Sequence, residues 1–89
     1  MSKRICGIYK ITNAVNDKVY IGQSVDVKWR WYTHKCDLRR GRHGNSHLQN
    51  AWSLYGEDAF DFELLEECAA ANLNEKEAFY INLYKIIIS

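Results

Sequence analysis

Three groups of side chains in this sequence are equipped for chemistry. The largest is basic: Lys28, Arg30, Lys35, Arg39, Arg40 and Arg42 crowd one short segment, with His34 and His43 among them. A stripe of guanidinium and ammonium groups this dense is what a phosphate backbone attracts, although a solvated basic helix without a partner has the same pattern. The second group is phenolic. Gly7-Ile8-Tyr9 and Tyr20-Ile21-Gly22 set two tyrosines on either side of a polar stretch, where they could equally be ordinary cross-strand core aromatics. The third is a carboxylate, Glu77, three residues after Asn74, which is also the spacing of a helix capping box. Cys6, Cys36 and Cys68 complete the inventory. Their odd number, wide spacing and lack of a CxxC pair give neither a zinc site nor a disulfide framework, and the expectation is free, mostly buried thiols.

Positioning these groups falls to a few short elements. Ile5 to Thr12, with its β-branched residues and Tyr9, predicts a strand. The polar run from Asn13 to Lys18 predicts a turn, and Val19-Tyr20-Ile21 a second strand ending at Gly22. The resulting hairpin would let Tyr9 and Tyr20 approach each other. Ser24 or Asp26 is a suitable N-cap for a helix reaching about Arg40, where Gly41 stops it. Val27, Trp31, His34 and Leu38 mark its inward stripe, and Arg30 shares a face with His34 four residues on. A histidine on such a stripe is also a candidate for a satisfied core position. A polar loop from Arg42 to Ser46 leads to a short helix, His47 to Tyr55, with Leu48, Ala51, Trp52 and Tyr55 expected inside. Ala59 to Glu66 alternates apolar and acidic residues as a half-buried strand does. Asn72 or Asn74 would cap a last helix from Glu75 to about Tyr84, packed through Phe79, Tyr80 and Leu83. The order ββααβα predicts one α+β domain over residues 1–89, a small three-stranded antiparallel sheet flanked by helices.

Composition bounds the reading without directing it. At 89 residues and 47% hydrophobic the chain can fold one modest core and is not a disordered segment. Net charge is only +1, but residues 1–45 hold ten of the twelve Lys and Arg, whereas Glu57 to Glu77 carries eight acidic residues and one basic one. Any anion-binding surface must therefore be one-sided. No stretch approaches the roughly 18 apolar residues that span a bilayer, and the start does not resemble a signal peptide, so a soluble cytoplasmic protein without a membrane partner is expected.

Read together, the separated elements are more specific than any one of them. The hairpin reads GIYKITN, a turn, then VYIGQS. A helix with Arg30-Trp31 and His34 follows, then His43, LQNAW, YGEDAF and Glu77 in Glu77-Ala78-Phe79-Tyr80-Ile81. From about Cys6 to Tyr84 this resembles the GIY-YIG nuclease family, particularly its homing-endonuclease-like branch. The resemblance implies a small antiparallel sheet flanked by helices and a metal-dependent DNA endonuclease of low intrinsic sequence specificity. It also implies roles. One of the two motif tyrosines, Tyr9 in preference to Tyr20, would help deprotonate the attacking water. Arg30 would neutralise the scissile phosphate, His34 would position phosphate or water, and Glu77 would hold a single Mg²⁺ or Mn²⁺. DNA would lie along Lys28, Lys35, Arg39, Arg40, Arg42 and His43, although His43 could also be a loop residue without a role.

These types suit the implied reaction. Attack on a phosphodiester builds negative charge that a guanidinium and a divalent cation fixed beforehand can stabilise. Mg²⁺ keeps several waters, so one carboxylate suffices when phosphate supplies another ligand. A free tyrosine has a pKa near 10, so a tyrosine base needs nearby cations, with Arg30, the metal and Lys10 as candidates. Two departures from the family pattern stand out. Trp29 replaces a residue often basic, and the chain runs out at Ile86-Ile87-Ile88-Ser89 before a GYN element that would supply an active-site asparagine. No segment for recognising a DNA sequence is apparent, so a separate specificity domain or partner chain is expected. The competing readings are a catalytically silent DNA- or protein-binding module of the same fold, and a subunit that cuts only with a partner.

Overall fold

The computed structural model describes residues 4–84; the isoleucine run at the end of the chain lies outside them. Within them the chain forms β1 (Gly7–Asn13), β2 (Val19–Ser24), α1 (Val27–Arg39), α2 (Ser46–Tyr55), β3 (Phe60–Glu67) and α3 (Leu73–Tyr84), with single 3₁₀ turns at Glu57–Ala59 and Ala70–Asn72. The sheet is antiparallel throughout, in the order β2-β1-β3. Among the described residues no helix is long and apolar enough to cross a membrane.

β1 is central because it can be buried on both faces. Tyr9, Ile11 and Asn13 point to one side and Ile8 to the other, and all four are buried. The first side meets α1 and α2 in a core of Tyr9, Ile11, Val27, Leu38, Leu48, Trp52 and Phe60. At about 25 cal/mol per Å² of apolar surface, this cluster is the main source of stability in so small a domain. α3 covers the second face, where Tyr80 Oη donates to Glu66 at 2.9 Å and Lys10 lies 5.2 Å from the Tyr84 ring centre. Lys10 also pairs with Glu63 and thus stands on the face opposite Tyr9, where it cannot act on that phenol.

The hairpin turn is built around Asn13. Its carboxamide oxygen accepts from the Val15 N–H at 2.9 Å, an Asx turn, and Asp17 takes the left-handed conformation at φ 60°. The strand therefore continues through Asn13 instead of ending before it. Asp26 caps α1 by accepting from the Trp29 N–H, and Asn45 caps α2 by accepting from the His47 and Leu48 N–H groups.

Tyr9 pairs with Gly22 and Tyr20 with Ile11, so the two tyrosines are diagonal neighbours on one face of the hairpin. Sequence expectations fail elsewhere. Tyr55 is exposed, because α2 buries only Leu48 and Trp52 fully. On α3, Phe79 and Leu83 are 57% and 58% exposed, while the inward stripe is Leu73, Lys76, Glu77, Tyr80 and Ile81. That stripe keeps helical spacing but mixes polar and apolar residues, because Lys76 and Tyr80 both bind Glu66 on β3. The helix also begins at Leu73, which places Asn74 inside the first turn and not at the cap. The three cysteines are free and only half-buried.

Candidate active site

A cleft of about 790 Å³ opens over edge strand β2, and Tyr9, Tyr20, Arg30, His34, His43 and Glu77 all line it. They arrive from five separate segments: β1, β2, α1, the loop after α1, and α3. Tyr9, Tyr20 and the α1 residues lie on one face of the sheet. Glu77 comes from the helix on the other face, so the site straddles the exposed edge of β2.

Tyr9 forms its floor at 3% exposure, with Trp31 edge-on at 6.1 Å. Its ring lies flat over Gly22. A Cβ on that residue would come within 2.4 Å of Tyr9 Cζ and 2.5 Å of its oxygen, so the glycine of the second motif is the space that the tyrosine of the first occupies. An extra residue on β3 offsets the pairing between Ile8 and Tyr9, a bulge of the kind that re-aims a side chain beside a site. Tyr9 Oη lies 2.7 Å from His34 Nε2, and His34 Nδ1 lies 2.6 Å from His43 Nε2, the two imidazoles being tilted at 32°.

Electrostatics follow from these positions. Burial raises the Tyr9 hydroxyl above its ordinary value of 10.0; a hydrogen bond from Arg30 and its charge pull the other way, and the Glu77 charge adds to the rise. Burial also raises Tyr20. His34 is lowered to about 4, first by burial and then by the Arg30 and His43 charges, with Asp37 opposing. His43 is lowered as well, mainly by burial. Both imidazoles are therefore neutral at pH 7. Arg30 is exposed and forms no ion pair among the described residues.

Glu77 is held in place by a residue the sequence reading passed over. Gln23 Nε2 donates to Glu77 Oε1 at 3.0 Å and to Asn74 Oδ1 at 2.8 Å. Gln23 directly follows the second motif, and strand alternation turns it to the α3 face, but nothing in sequence spacing tells which helix waits there. Gln49 was also missed. It accepts from the His43 N–H at 3.0 Å and donates to the Leu38 carbonyl at 3.0 Å, tying the loop that carries His43 to the end of α1. Asn45, an N-cap type ahead of an apolar run, was the one legible signal in that loop.

Lys28, Lys35, Arg39, Arg40 and Arg42 do not line the cleft. Lys35 sits 4.8 Å from the Phe62 ring centre, and Arg39 makes a bidentate pair with Glu57 at 2.7 and 2.8 Å. Among the described residues no group of three or more His, Cys, Asp or Glu forms a metal cage. Glu77 is one of two carboxylates lining the cleft; Asp37 lies on the histidine side, whereas Glu77 has one oxygen held by Gln23. This donor set fits a hard divalent cation that draws most of its ligands from water and phosphate, and would not suit a zinc site.

With this geometry the likeness to known proteins is specific. The GIY-YIG catalytic domain model matches residues 5–86. Intron-associated endonuclease 1 of Enterobacteria phage T4 is 38% identical over 77 residues, covering 84% of this chain and 31% of that protein. The chain thus spans about a third of the length of that relative. Among solved structures, the catalytic domain of homing endonuclease I-TevI matches at a TM-score of 0.84 and 34% identity, over 90% of this chain and 88% of that one. A mutant of the same domain gives the same TM-score and identity, over 91% and 84%. Nearly the whole chain, its sheet order and both motif strands take part in these matches, and the chain belongs to the GIY-YIG endonuclease family, as a catalytic domain of that fold.

Proposed function

We propose that this domain hydrolyses phosphodiester bonds in DNA with the help of one divalent cation, Mg²⁺ or Mn²⁺, and with little sequence preference of its own. The observation that carries this reading is the convergence of a buried phenol, an exposed guanidinium without an ion pair among the described residues, and the Glu77 carboxylate on one open cleft. These are a base, an anion clamp and a metal ligand within a single substrate's reach.

In the reaction so assigned, a phosphodiester enters over β2 with a non-bridging oxygen against Arg30. A water attacks phosphorus in line with the leaving oxygen, whose P–O bond breaks as the new one forms; Tyr9, as phenolate, takes the proton that the water loses, and the leaving oxygen takes a proton from solvent in the open cleft. Arg30 neutralises charge that accumulates on the non-bridging oxygens, and it is placed there before reaction, so no reorganisation opposes it. Glu77, steadied by Gln23, would hold the cation, which supplies charge neutralisation at the scissile phosphate. The high pKa of Tyr9 makes the phenolate the scarce form, so the rate rises with pH across the neutral range. Tyr20 forms the wall beside Tyr9 and orients substrate. Sequence choice falls to parts outside this domain, which is consistent with the much greater length of the phage relative. The test is incubation with supercoiled plasmid and Mg²⁺, Mn²⁺ or EDTA. Open-circular product with either metal and none with EDTA is expected, and equal nicking in EDTA would refute the metal requirement.

A further inference from the structure

Three contacts in the cleft run in series, and the last has only one possible direction. The backbone N–H of Asn45 lies 3.0 Å from His43 Nδ1 and can do nothing but donate. His43 Nδ1 must then be bare, and a neutral His43 carries its proton on Nε2. That nitrogen faces His34 Nδ1 at 2.6 Å, so His34 Nδ1 must also be bare. His34 in turn carries its proton on Nε2, which faces Tyr9 Oη at 2.7 Å. We infer that His43 and His34 are both locked as neutral Nε2–H tautomers, that His34 donates to the Tyr9 oxygen, and that His43 is a positioning residue acting through His34 and not a DNA contact.

The opposite polarity fails at its far end. If Tyr9 donated to His34 Nε2, His34 would carry its proton on Nδ1, and His43 Nε2 would have to accept it. His43 would then hold its proton on Nδ1, directly against the Asn45 N–H, leaving two donors face to face in a half-buried site. Protonating either ring produces the same collision. The groups facing the pair are Tyr9 from β1, Arg30 and Asp37 from α1, and the Asn45 amide. Asp37 favours a charged ring at both histidines and the Asn45 backbone does so at His43, but burial outweighs them and the Asn45 N–H aimed at Nδ1 leaves no room for a proton there. The Asn45 amide cannot turn away easily, because its own side chain caps α2 and Gln49 pins the loop behind it.

For the chemistry, which rests on Tyr9 being the base proposed above, one consequence is definite. His34 cannot receive the Tyr9 proton, because the nitrogen it presents is already protonated. The pair instead stabilises the phenolate by donation, alongside Arg30, and the Tyr9 proton leaves through the open cleft.

Long-range proton–nitrogen NMR on the whole ¹⁵N-labelled chain at pH 7, without DNA or metal, reads the tautomers directly. His34 and His43 are expected to show a bare Nδ1 and a protonated Nε2, while exposed His47 averages between forms. An Nδ1–H tautomer, averaging, or an imidazolium signature at His34 or His43 would overturn the proposal. His43→Gln keeps an N–H near the Nε2 position, whereas His43→Leu does not. The Tyr9 titration midpoint, read from its ¹³Cζ shift, should move upward in His43→Leu and stay near wild type in His43→Gln, with DNA affinity unchanged in both. Lost affinity with an unmoved midpoint would make His43 a DNA contact and refute the assignment. The expected tautomers in a protein that does not nick DNA would support this inference and sink the nuclease reading alone.

Discussion

Arg30 and Arg39 lie on the same basic helix and meet opposite fates. At the far end of α1, Arg39 closes a bidentate pair with Glu57, and each charge cancels the other. At the cleft end, Arg30 has no ion-pair partner among the described residues and stands beside Tyr9, His34 and Glu77. The first arrangement is a solvent-screened surface tie that contributes little to stability. The second leaves a fixed positive charge exposed to an incoming anion, where charge developing during a reaction can use it. A run of basic residues is thus not one surface. Where each cation finds its counter-ion decides which part of the run can bind.

The comparison breaks most readily on activity. Arg30→Ala should lower the single-turnover cleavage rate at least roughly tenfold, whereas Arg39→Ala should leave it within about twofold. Equal losses in the two variants would show that the whole basic run acts together. Gly22→Ala tests the other wall of the cleft. Its new methyl would overlap Tyr9 at 2.4 Å, so the ring must leave its seat; a destabilisation of about 1–3 kcal/mol and a clear fall in rate are expected. A normal Tm and normal cleavage in that variant would contradict the packing described.

A third contrast lies in pH. His34 drops from 6.5 to about 4 on folding, so between these values the unfolded chain binds more protons and stability rises with pH. Acidification from pH 7 to 5 should destabilise the domain by on the order of 2 kcal/mol, and His34→Gln should flatten that dependence. Denaturant titrations at the two pH values check it, and an identical slope in wild type and variant would remove His34 as the cause. The smallest effect belongs to the tie itself: Glu57→Ala should leave the denaturation midpoint close to wild type in the same assay, and a large downward shift would contradict its being a screened surface pair.

The sequence carried the element order and the core face of α1 well, since Val27, His34 and Leu38 follow a helical period and Asp26 is a strong cap type. It carried the cleft residues through their motif context and not through local pattern. It misled on α3, because an apolar count favours Phe79 and Leu83, while the face that packs includes Lys76 and Glu77, whose partners Glu66 and Gln23 lie on distant strands. The hairpin register was illegible for a related reason. Tyr9 takes the space over Gly22 only because of where the Asn13 turn starts, and turn geometry sets register. Likewise the sequence gives no sign that Lys35 lies over Phe62 or that Arg39 pairs with Glu57.

The central claim is that Glu77, carried in from the opposite face of the sheet, completes a metal-dependent nuclease site around Tyr9 and Arg30. The most direct measurement is the single-turnover nicking rate of supercoiled plasmid by wild type and Glu77→Ala, each shown folded by its Tm, across a Mg²⁺ titration. The account predicts metal-dependent nicking by wild type and its loss in the variant at every Mg²⁺ concentration. Undiminished nicking by a folded Glu77→Ala would contradict it.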